Sequence, residues 1–375
     1  SAFEFDNASI TWNAGNVYGA GFQYSLNNFP FRTAARDLTL QNGYFTQTTA
    51  IAANNFTLSG SVLTMSVPKN TTSLALGGTL NVTDSSTMTH TAAVNGGDGS
   101  PEYAIQVTAG GLTIDATSTV NVSSRGYTSW GVSNACRVLG NKHVAGYNGS
   151  TYNYAGGSHG GYGTGNGGYT NKPYGNFMNP NSAGGVCVYS TSNPVAGGGI
   201  ARFDLGNGSA VINGTILANA TSQAGAVTFG SAGGSIYLNA GAVSGTGYLS
   251  AVGGYGSHNA GSGGRIAVYY NSVAGNFTFP TNFLANVRAW GATAWSSGQK
   301  SGAGTIYAKD KAATYGDLII NNNGIEGCNS GTAYRCGASI VTPARSSITA
   351  NLAGTTAEYS AASIFQDQGI TSDNV

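Results

Sequence analysis

Charged residues are scarce in this chain. Only 8% of its 375 residues are charged, and 15 Lys and Arg against 14 Asp and Glu leave a net charge of +1. A typical soluble domain has about 25% charged residues, and exposed helix faces depend on Glu, Lys and Arg. Long helices are therefore not expected. A nucleic-acid partner is not expected either, because phosphate binding needs a basic stripe.

Long apolar runs are also missing. No run of about 18 apolar residues occurs, so we expect no transmembrane helix. The chain nevertheless has 41% hydrophobic and 10% aromatic residues, which is enough for a core and is unlike the composition of disordered chains. It also contains 59 glycines, each of which costs a helix about 1 kcal/mol relative to Ala. Strands and turns remain, so the composition predicts an all-β protein.

Cysteine is rare, and its pattern excludes the common zinc sites. The four cysteines Cys136, Cys187, Cys328 and Cys336 form no CxxC pair. An even count favours disulfides and a secreted, extracellular location. We expect Cys136–Cys187 to close a long insertion and Cys328–Cys336 to close a short loop, with buried free thiols as the alternative.

An internal repeat is the strongest pattern present. Five segments share a short alternating run, a polar or Gly turn and a second alternating run, namely 57–65, 79–88, 112–122, 210–220 and 242–251. Alternation at period two indicates half-buried strands, and turns of this kind supply positive-φ positions. Similar repeats that stack would bury a continuous core. The repeat therefore favours a parallel β-helix, with an antiparallel β-sandwich as the alternative.

The repeat predicts three regions. Residues 1–56 are less regular and are expected to form an N-terminal β cap or small β region. Residues 57–324 form the repeat, which is interrupted at 127–200 by an insertion too rich in Gly for regular strands or helices. Residues 325–375 are expected to form a C-terminal β segment with the short Cys loop.

Several motifs resemble a known family. SHGGYG at 158–163 and the Gly-rich stretch up to 185, AGGSIYLNAGAVSGTGYLSAVGGYG at 232–256, GSGGRIAVYY at 261–270 and GAGTIYAKDKAATYGDLIINNNG at 302–324 are similar to the glycine-rich domain of large bacterial surface and secreted proteins. The resemblance covers about 107–324. It implies a right-handed parallel β-helix within an adhesin or fibre protein, and it implies no catalytic group. The four cysteines and the Tyr-rich loop depart from the family pattern.

Catalytic carboxylates form no recognisable motif. A polysaccharide lyase or hydrolase on this fold would typically need paired carboxylates. The candidates are Asp98, Glu102, Asp204 and the group around Lys309, Asp310, Lys311 and Asp317, and turn or solvated-corner roles are favoured for them. Arg202 and Arg265 are expected to bind exposed carbonyls beside glycines.

Histidine spacing does not indicate a metal. We expect loop hydrogen bonding for His159 and His258, and no metal-ligand spacing joins them to His90 or His143. Calcium could bind at carbonyl-rich turns, but no Asp-x-Asp-x-Asp-Gly run supports it. We therefore expect no metal and no cofactor.

Aromatic residues in the insertion are the candidate contacts. Tyr and Gly together build adaptable contact surfaces, although packing within the loop is an equal alternative. The candidates are Trp130, Tyr147, Tyr152, Tyr154, His159, Tyr162, Tyr169 and Tyr174, with Trp290 and Trp295 on a second loop. These residues favour a secreted surface adhesin or fibre that contacts a surface glycan, a protein or copies of itself. A self-assembling, homo-oligomeric filament subunit and a polysaccharide-active enzyme are the alternatives.

Overall fold

The computed structural model describes residues 9–13, 23–25, 35–93, 101–128, 135–138, 142–145, 155–164, 171–188, 195–222, 229–257, 259–295, 298–325 and 340–341. Almost all regular structure in these residues is β, with one short helix, α1 (Thr281–Asn286), and a 3-10 turn at Gly275–Phe277. The predicted all-β class is confirmed. None of the helices in this part of the chain is long and apolar enough to cross a membrane.

The strands follow one another closely along the chain. Before the insertion they are β1 (Ser9–Asn13), β2 (Gln23–Ser25), β3 (Ala35–Gln41), β4 (Tyr44–Gln47), β5 (Ile51–Ser59), β6 (Val62–Met65), β7 (Leu74–Leu76), β8 (Thr79–Thr83), β9 (Thr87–His90), β10 (Ile105–Thr108), β11 (Gly111–Ile114) and β12 (Thr119–Asn121). Within it are β13 (Ala135–Val138), β14 (Lys142–Ala145) and β15 (Val186–Val188). After it come β16 (Ile200–Asp204), β17 (Ser209–Ile212), β18 (Thr215–Leu217), β19 (Ser235–Asn239), β20 (Ala242–Ser244), β21 (Tyr248–Ser250), β22 (Arg265–Tyr270), β23 (Ser272–Val273), β24 (Val287–Arg288), β25 (Thr305–Asp310), β26 (Asp317–Ile320) and β27 (Ile340–Val341).

Two large sheets are formed. Sheet 1 has the order β23-β20-β17-β11-β8-β5-β7-β10-β16-β19-β22-β25-β26-β27, and β3 joins it beside β5 and carries β1. Sheet 2 has the order β2-β4-β6-β9-β12-β18-β21-β24. Apart from the pairings of β26, the strands within both sheets pair in parallel. An antiparallel sandwich, the alternative from the sequence, does not fit this pairing.

The five repeated segments pair with one another in register. Each segment places a strand in sheet 1, then a turn, then a strand in sheet 2. Leu112 pairs with Leu80 on one side and, across the insertion, with Ala210 on the other. Turn geometry also agrees with the sequence, because Gly60 and Asp84 have φ of 56° and 58°. The repeat predicted these strands, and the pairing of Leu58 with Val82 and of Leu80 with Leu112 gives their register.

One hydrophobic core runs through both sheets. Strand β8 alternates half-buried and buried positions, which turns Leu80 and Val82 inward. The same core contains Leu38 and Leu40 of β3. Strand β3 pairs with β5, and β5 itself spans residue 56, the predicted boundary between the first two regions. Sheet and core therefore continue into residues 35–56, within the region expected to form an N-terminal β cap or small β region.

Serine side chains stack beside this core. The backbone N–H of Gly43 donates to Ser61 Oγ at 3.2 Å, that of Ser61 to Ser86 Oγ at 3.1 Å, and that of Ser86 to Ser118 Oγ at 3.1 Å. The three serines are buried, and the bonds from the N–H groups of Ser61 and Ser86 are buried as well, so these hydroxyls satisfy backbone groups with little access to water. The turns are thus connected by hydrogen bonds to neutral serine hydroxyls, without charged side chains.

The stack has a distinct end after β25. Strand β26 pairs with β25 in antiparallel orientation, and β27 pairs with β26 in the same way. Phe277 and Phe283, from the 3-10 turn and α1, are fully buried in the main core. The last parallel strand of sheet 1 is therefore covered by strand β26, and the core beside it is closed by aromatic rings.

Candidate interaction surface

Glycine-rich backbone forms a dense hydrogen-bonded layer where the insertion meets the sheets. In 230–234 alone, Gly230 O accepts from Gly157 N–H at 2.9 Å, Ala232 N–H donates to Gly185 O at 2.8 Å and Gly233 N–H donates to Ser262 O at 3.0 Å. A strand in a sheet forms backbone hydrogen bonds with two neighbouring strands, whereas this segment forms them with several different segments of the chain. We call this region, with its partners in 156–164, 182–185, 196–199 and 259–264, the glycine layer.

Close backbone approach explains why glycine is required there. A Cβ on Gly264 would lie 2.1 Å from Gly234 O, and a Cβ on Gly234 would lie 2.0 Å from Gly199 O. Gly304 repeats the contact against Gly264 O at 1.9 Å. Each of these glycines immediately precedes a strand of sheet 1. At these positions neighbouring backbones therefore pack too closely to leave room for a Cβ, and Gly160 and Gly184 of the insertion make the same kind of contact against Gly264 O and Ala232 O.

Arg265 fastens the insertion to sheet 1. Its side chain is fully buried, and Nε donates to Tyr174 O at 2.8 Å while a terminal nitrogen donates to His159 O at 3.4 Å. The other terminal nitrogen donates to Thr305 Oγ1 at 3.0 Å on the neighbouring strand. Burial lowers the pKa of Arg265 to about 10, so it stays charged at neutral pH. The predicted carbonyl-binding role is confirmed.

His159 is buried beside Arg265. Its Nδ1 lies 2.7 Å from Gly233 O, and its ring lies against that of Tyr174 with centroids 4.9 Å apart. Burial, with a smaller effect of the Arg265 charge, lowers the pKa of His159 to about 3. The ring is therefore neutral, with its proton on Nδ1. It makes the loop hydrogen bond expected from the sequence, and it is not on the surface.

A second part of the insertion covers the outer side of sheet 1. Arg202 donates to Pro180 O and, at 2.7 Å, to Asn179 Oδ1, which again fulfils the predicted carbonyl contact. Phe177 is buried and packs edge-on against Tyr307 with centroids 5.5 Å apart. The hydroxyl of Tyr269 donates to Met178 O at 2.8 Å. Segment 176–182 therefore covers the outer side of sheet 1 and is held there by these contacts.

The disulfide joins the insertion internally. Strands β13, β14 and β15 form a small antiparallel sheet in which Cys136 lies opposite Cys187. The two are bonded, with Cα atoms 3.9 Å apart and both side chains buried. The predicted Cys136–Cys187 pair is confirmed, whereas regular strands were not expected in this region. Cys328 and Cys336 lie outside the described residues.

Several predicted contact residues have no described position. Trp130, Tyr147, Tyr152, Tyr154, Tyr169, His258 and Asp98 lie outside the described residues, as does the side chain of His143. Of the others in the insertion, Tyr162 is buried, and the hydroxyl of Tyr174 donates to Ala183 O at 2.7 Å. The described aromatic residues of the insertion therefore pack within the protein.

The carboxylate candidates are engaged locally. Glu102 pairs with Lys69 at 2.8 Å and accepts from the hydroxyl of Tyr127 at 3.0 Å. Asp204 accepts from Asn239 at 2.7 Å, and Asp310 accepts from the Ala312 N–H at 2.9 Å in the turn after β25. Within the described ranges, no three His, Cys, Asp or Glu residues are grouped so as to hold a metal.

Half-buried rings on and beside the last strands of sheet 2 adjoin exposed rings on the loops that follow. Arg288 lies over the ring of Tyr248, 4.5 Å from its centroid, and 5.5 Å from the centroid of Trp290. Trp295 is 69% exposed and Tyr255 is 39% exposed. We call these five residues the aromatic edge. The sequence predicted Trp290 and Trp295 as contacts but missed the rest.

The backbone holds the aromatic edge in place. The N–H of Gly253 donates to Trp290 O at 2.9 Å, and that of Ala251 donates to Arg288 O at 2.8 Å. The N–H of Trp295 donates to Gly256 O at 2.9 Å, which brings the loop of Trp295 beside the loop of Tyr255. Tyr248 and Arg288 are half-buried positions next to the buried Leu249 and Val287, and strands this short gave no sequence signal for them.

Comparisons of the chain with protein-family models, with curated proteins and with solved structures each found no match. The function has to be inferred from the residues of this chain.

Proposed function

We propose that this chain is the body of an extracellular surface protein, a right-handed parallel β-helix that works as an adhesive scaffold. Strands that alternate between two sheets and pair in parallel with the next repeat support the helical coil. Parallel crossover connections are right-handed in about 98% of cases, which supports the hand. The motifs that resemble bacterial surface proteins agree with both.

The observation that carries the proposal is how the few ionisable side chains are used. Arg265 and Arg202 bind backbone carbonyls, Glu102 pairs with Lys69, and His159 is buried and neutral. The two arginines and His159 bind backbone carbonyls of the insertion and of the glycine layer. Rigid, neutral, densely hydrogen-bonded structure suits a protein that displays surfaces. The Cys136–Cys187 disulfide supports an oxidising location.

Localisation tests the extracellular part of the proposal. Antibodies raised against the purified chain are applied to intact and to permeabilised producing cells, and the medium is blotted. We expect labelling of intact cells, or the chain in the medium. Signal that depends on permeabilisation, with none in the medium, would overturn the proposal.

Particle images and turnover assays test the scaffold part. We expect negative-stain images of separate, uniform particles, because β26 covers the last parallel strand of sheet 1 in antiparallel orientation. Long uniform filaments would instead favour the filament alternative. Incubation with polysaccharides should release no new reducing ends or unsaturated products. Steady release by the purified chain would favour the enzyme alternative.

A further inference from the structure

We propose that the aromatic edge binds an acidic polysaccharide, one that carries uronic-acid carboxylates. The inference rests on the proposed function and names the ligand class of that surface. Three features carry it, namely the exposure of Trp295 and Tyr255, the position of the Arg288 guanidinium beside the rings of Tyr248 and Trp290, and the rigidity of the backbone beneath.

The exposed rings are the first feature. Trp295 and Tyr255 are among the few large apolar side chains that the described residues leave exposed, and they lie on adjoining loops. An aromatic ring has a negative face, which attracts the polarised C–H groups on the face of a sugar ring. Trp and Tyr also supply contact area with little loss of side-chain entropy on binding.

The cation is the second feature. Arg288 donates from Nε to Ala285 O at 2.9 Å, and its guanidinium lies beside the rings of Tyr248 and Trp290. Within the described ranges, no carboxylate lies in ion-pair distance of Arg288. The terminal nitrogens are therefore available to an anion. Guanidinium and carboxylate form short, charge-assisted and often paired hydrogen bonds, so a uronate complements this site better than a neutral sugar.

Rigidity is the third feature. Hydrogen bonds from Ala251 and Gly253 fix the backbone at Arg288 and Trp290, and the one from Trp295 to Gly256 fixes the exposed loop.

The spacing of the two tryptophans suits an oligosaccharide. Trp290 and Trp295 are five positions apart, so their Cα atoms lie within about 17 Å of each other, a distance that several sugar units span.

Binding to defined polymers tests the proposal. The full chain is run through native gels containing polygalacturonate or alginate, with neutral galactan as the comparison, and dissociation constants are measured by titration with uronate oligomers. We expect retardation by at least one uronate polymer and little by galactan. Trp295→Ala and Arg288→Gln should each weaken uronate binding about tenfold, as for central residues of an interface. Added salt should weaken binding by the wild type more than binding by Arg288→Gln.

Tyr315→Ala is the matched control. Tyr315 is 61% exposed but lies in the turn after the C-terminal end of β25, whereas residue 289 meets the chain just before the N-terminal end of that strand, through Gly304 N–H to Ala289 O. We expect this variant to keep its affinity within about twofold. Thermal unfolding of all variants checks that they fold. Absence of uronate binding, equal retardation by galactan, or uronate affinity unchanged in Trp295→Ala would each overturn the proposal. Because surface labelling does not depend on these residues, the proposed scaffold function is tested separately.

Discussion

The ring of His90 joins the chain before the insertion to the first strand after it. Nε2 accepts a hydrogen bond from the backbone N–H of Ile200 at 3.0 Å, across 110 positions of sequence. Nδ1 lies 2.7 Å from Thr91 O, so both nitrogens are engaged in the neutral form. Burial, followed by a smaller effect of the Arg125 charge, lowers the pKa of His90 to about 4.

We expect the protein to lose stability in mild acid. His90 and His159 have pKa values of about 4 and about 3 in the folded chain, against 6.5 when unfolded. Below pH 6.5 the unfolded chain binds protons that the folded chain does not, so the unfolding free energy falls as pH falls. It should fall by about 1.4 kcal/mol per pH unit for each histidine down to about pH 4, and the contribution is complete above pH 6.5. Urea unfolding at pH 7.5 and pH 5 measures this.

A double variant isolates these two residues. Gln in place of His90 keeps an acceptor for Ile200 N–H, and Asn in place of His159 keeps a donor for Gly233 O. We expect His90→Gln with His159→Asn to be less stable at pH 7.5 but to show a much flatter pH dependence. His143 and His258 are present in both proteins, so they cancel. An unchanged slope would contradict the assignment.

The glycine layer should tolerate no side chain. Gly264→Ala would place a Cβ 2.1 Å from Gly234 O, a backbone atom that cannot move alone. We expect a loss of about 3 kcal/mol or more in unfolding free energy, measured by urea denaturation. Gly111→Ala is the control, because its Cβ would meet Thr79 Oγ1 at 3.3 Å. That variant should stay within about 1 kcal/mol of the wild type. Equal stability of the two variants would contradict the close packing.

Strand positions were readable from the sequence, whereas the glycine layer was not. Alternation in segments such as 79–88 and 112–122 is a local property of side chains, so it predicted the strands that pair there. Bonds such as Gly233 N–H to Ser262 O join backbone atoms that every residue has. No residue pattern identifies such partners, and the insertion was consequently expected to be loops without regular strands.

The candidate contact residues also fall into two groups: those that residue type identifies and those whose role depends on the tertiary fold. Trp290 and Trp295 could be proposed from residue type and loop position alone. The contribution of Arg288 depends on Tyr248, and their contact exists because β24 pairs with β21. Conversely, residue type pointed to His159 and Tyr162, which the packing of the glycine layer buries. Exposure follows from the tertiary fold, which single-sequence patterns do not encode.

Removal of the disulfide should destabilise the insertion. The bond joins positions separated by 51 residues, and a closed loop of that size corresponds to about 4 kcal/mol in the chain-entropy estimate. We expect Cys136→Ser with Cys187→Ser to lower the unfolding midpoint and to speed proteolysis within 127–200. The sheets should persist, because their core does not include either cysteine.

Reductant provides the control for this prediction. It should shift the wild-type midpoint toward that of the double Ser variant and should leave the midpoint of the variant nearly unchanged. A variant as stable and as protease-resistant as the wild type would show that the insertion is held without the bond. A large further effect of reductant on the variant would instead indicate a contribution from Cys328 and Cys336.

The two carbonyl-binding arginines should differ greatly in their effect on stability. Arg265→Met removes a fully buried guanidinium and leaves Tyr174 O, His159 O and Thr305 Oγ1 without that donor. We expect a loss of about 3–5 kcal/mol, as when one partner of a buried charged interaction is removed. Arg202→Met should cost about 1 kcal/mol, because its guanidinium is partly exposed and water can replace it at Asn179. Urea unfolding compares the two variants.

Arg265→Lys separates charge from geometry at the same position. An ammonium keeps the charge but lacks the planar fork that lets Arg265 donate to His159 and Tyr174 in the insertion and to Thr305 on β25 together. We expect stability between that of the wild type and Arg265→Met, with faster proteolysis of 155–188 than in the wild type. If Arg265→Met were no less stable than Arg202→Met, the insertion would be held by the glycine layer and segment 176–182 without the arginine. The larger effect is expected because a buried carbonyl that loses its donor cannot turn to water.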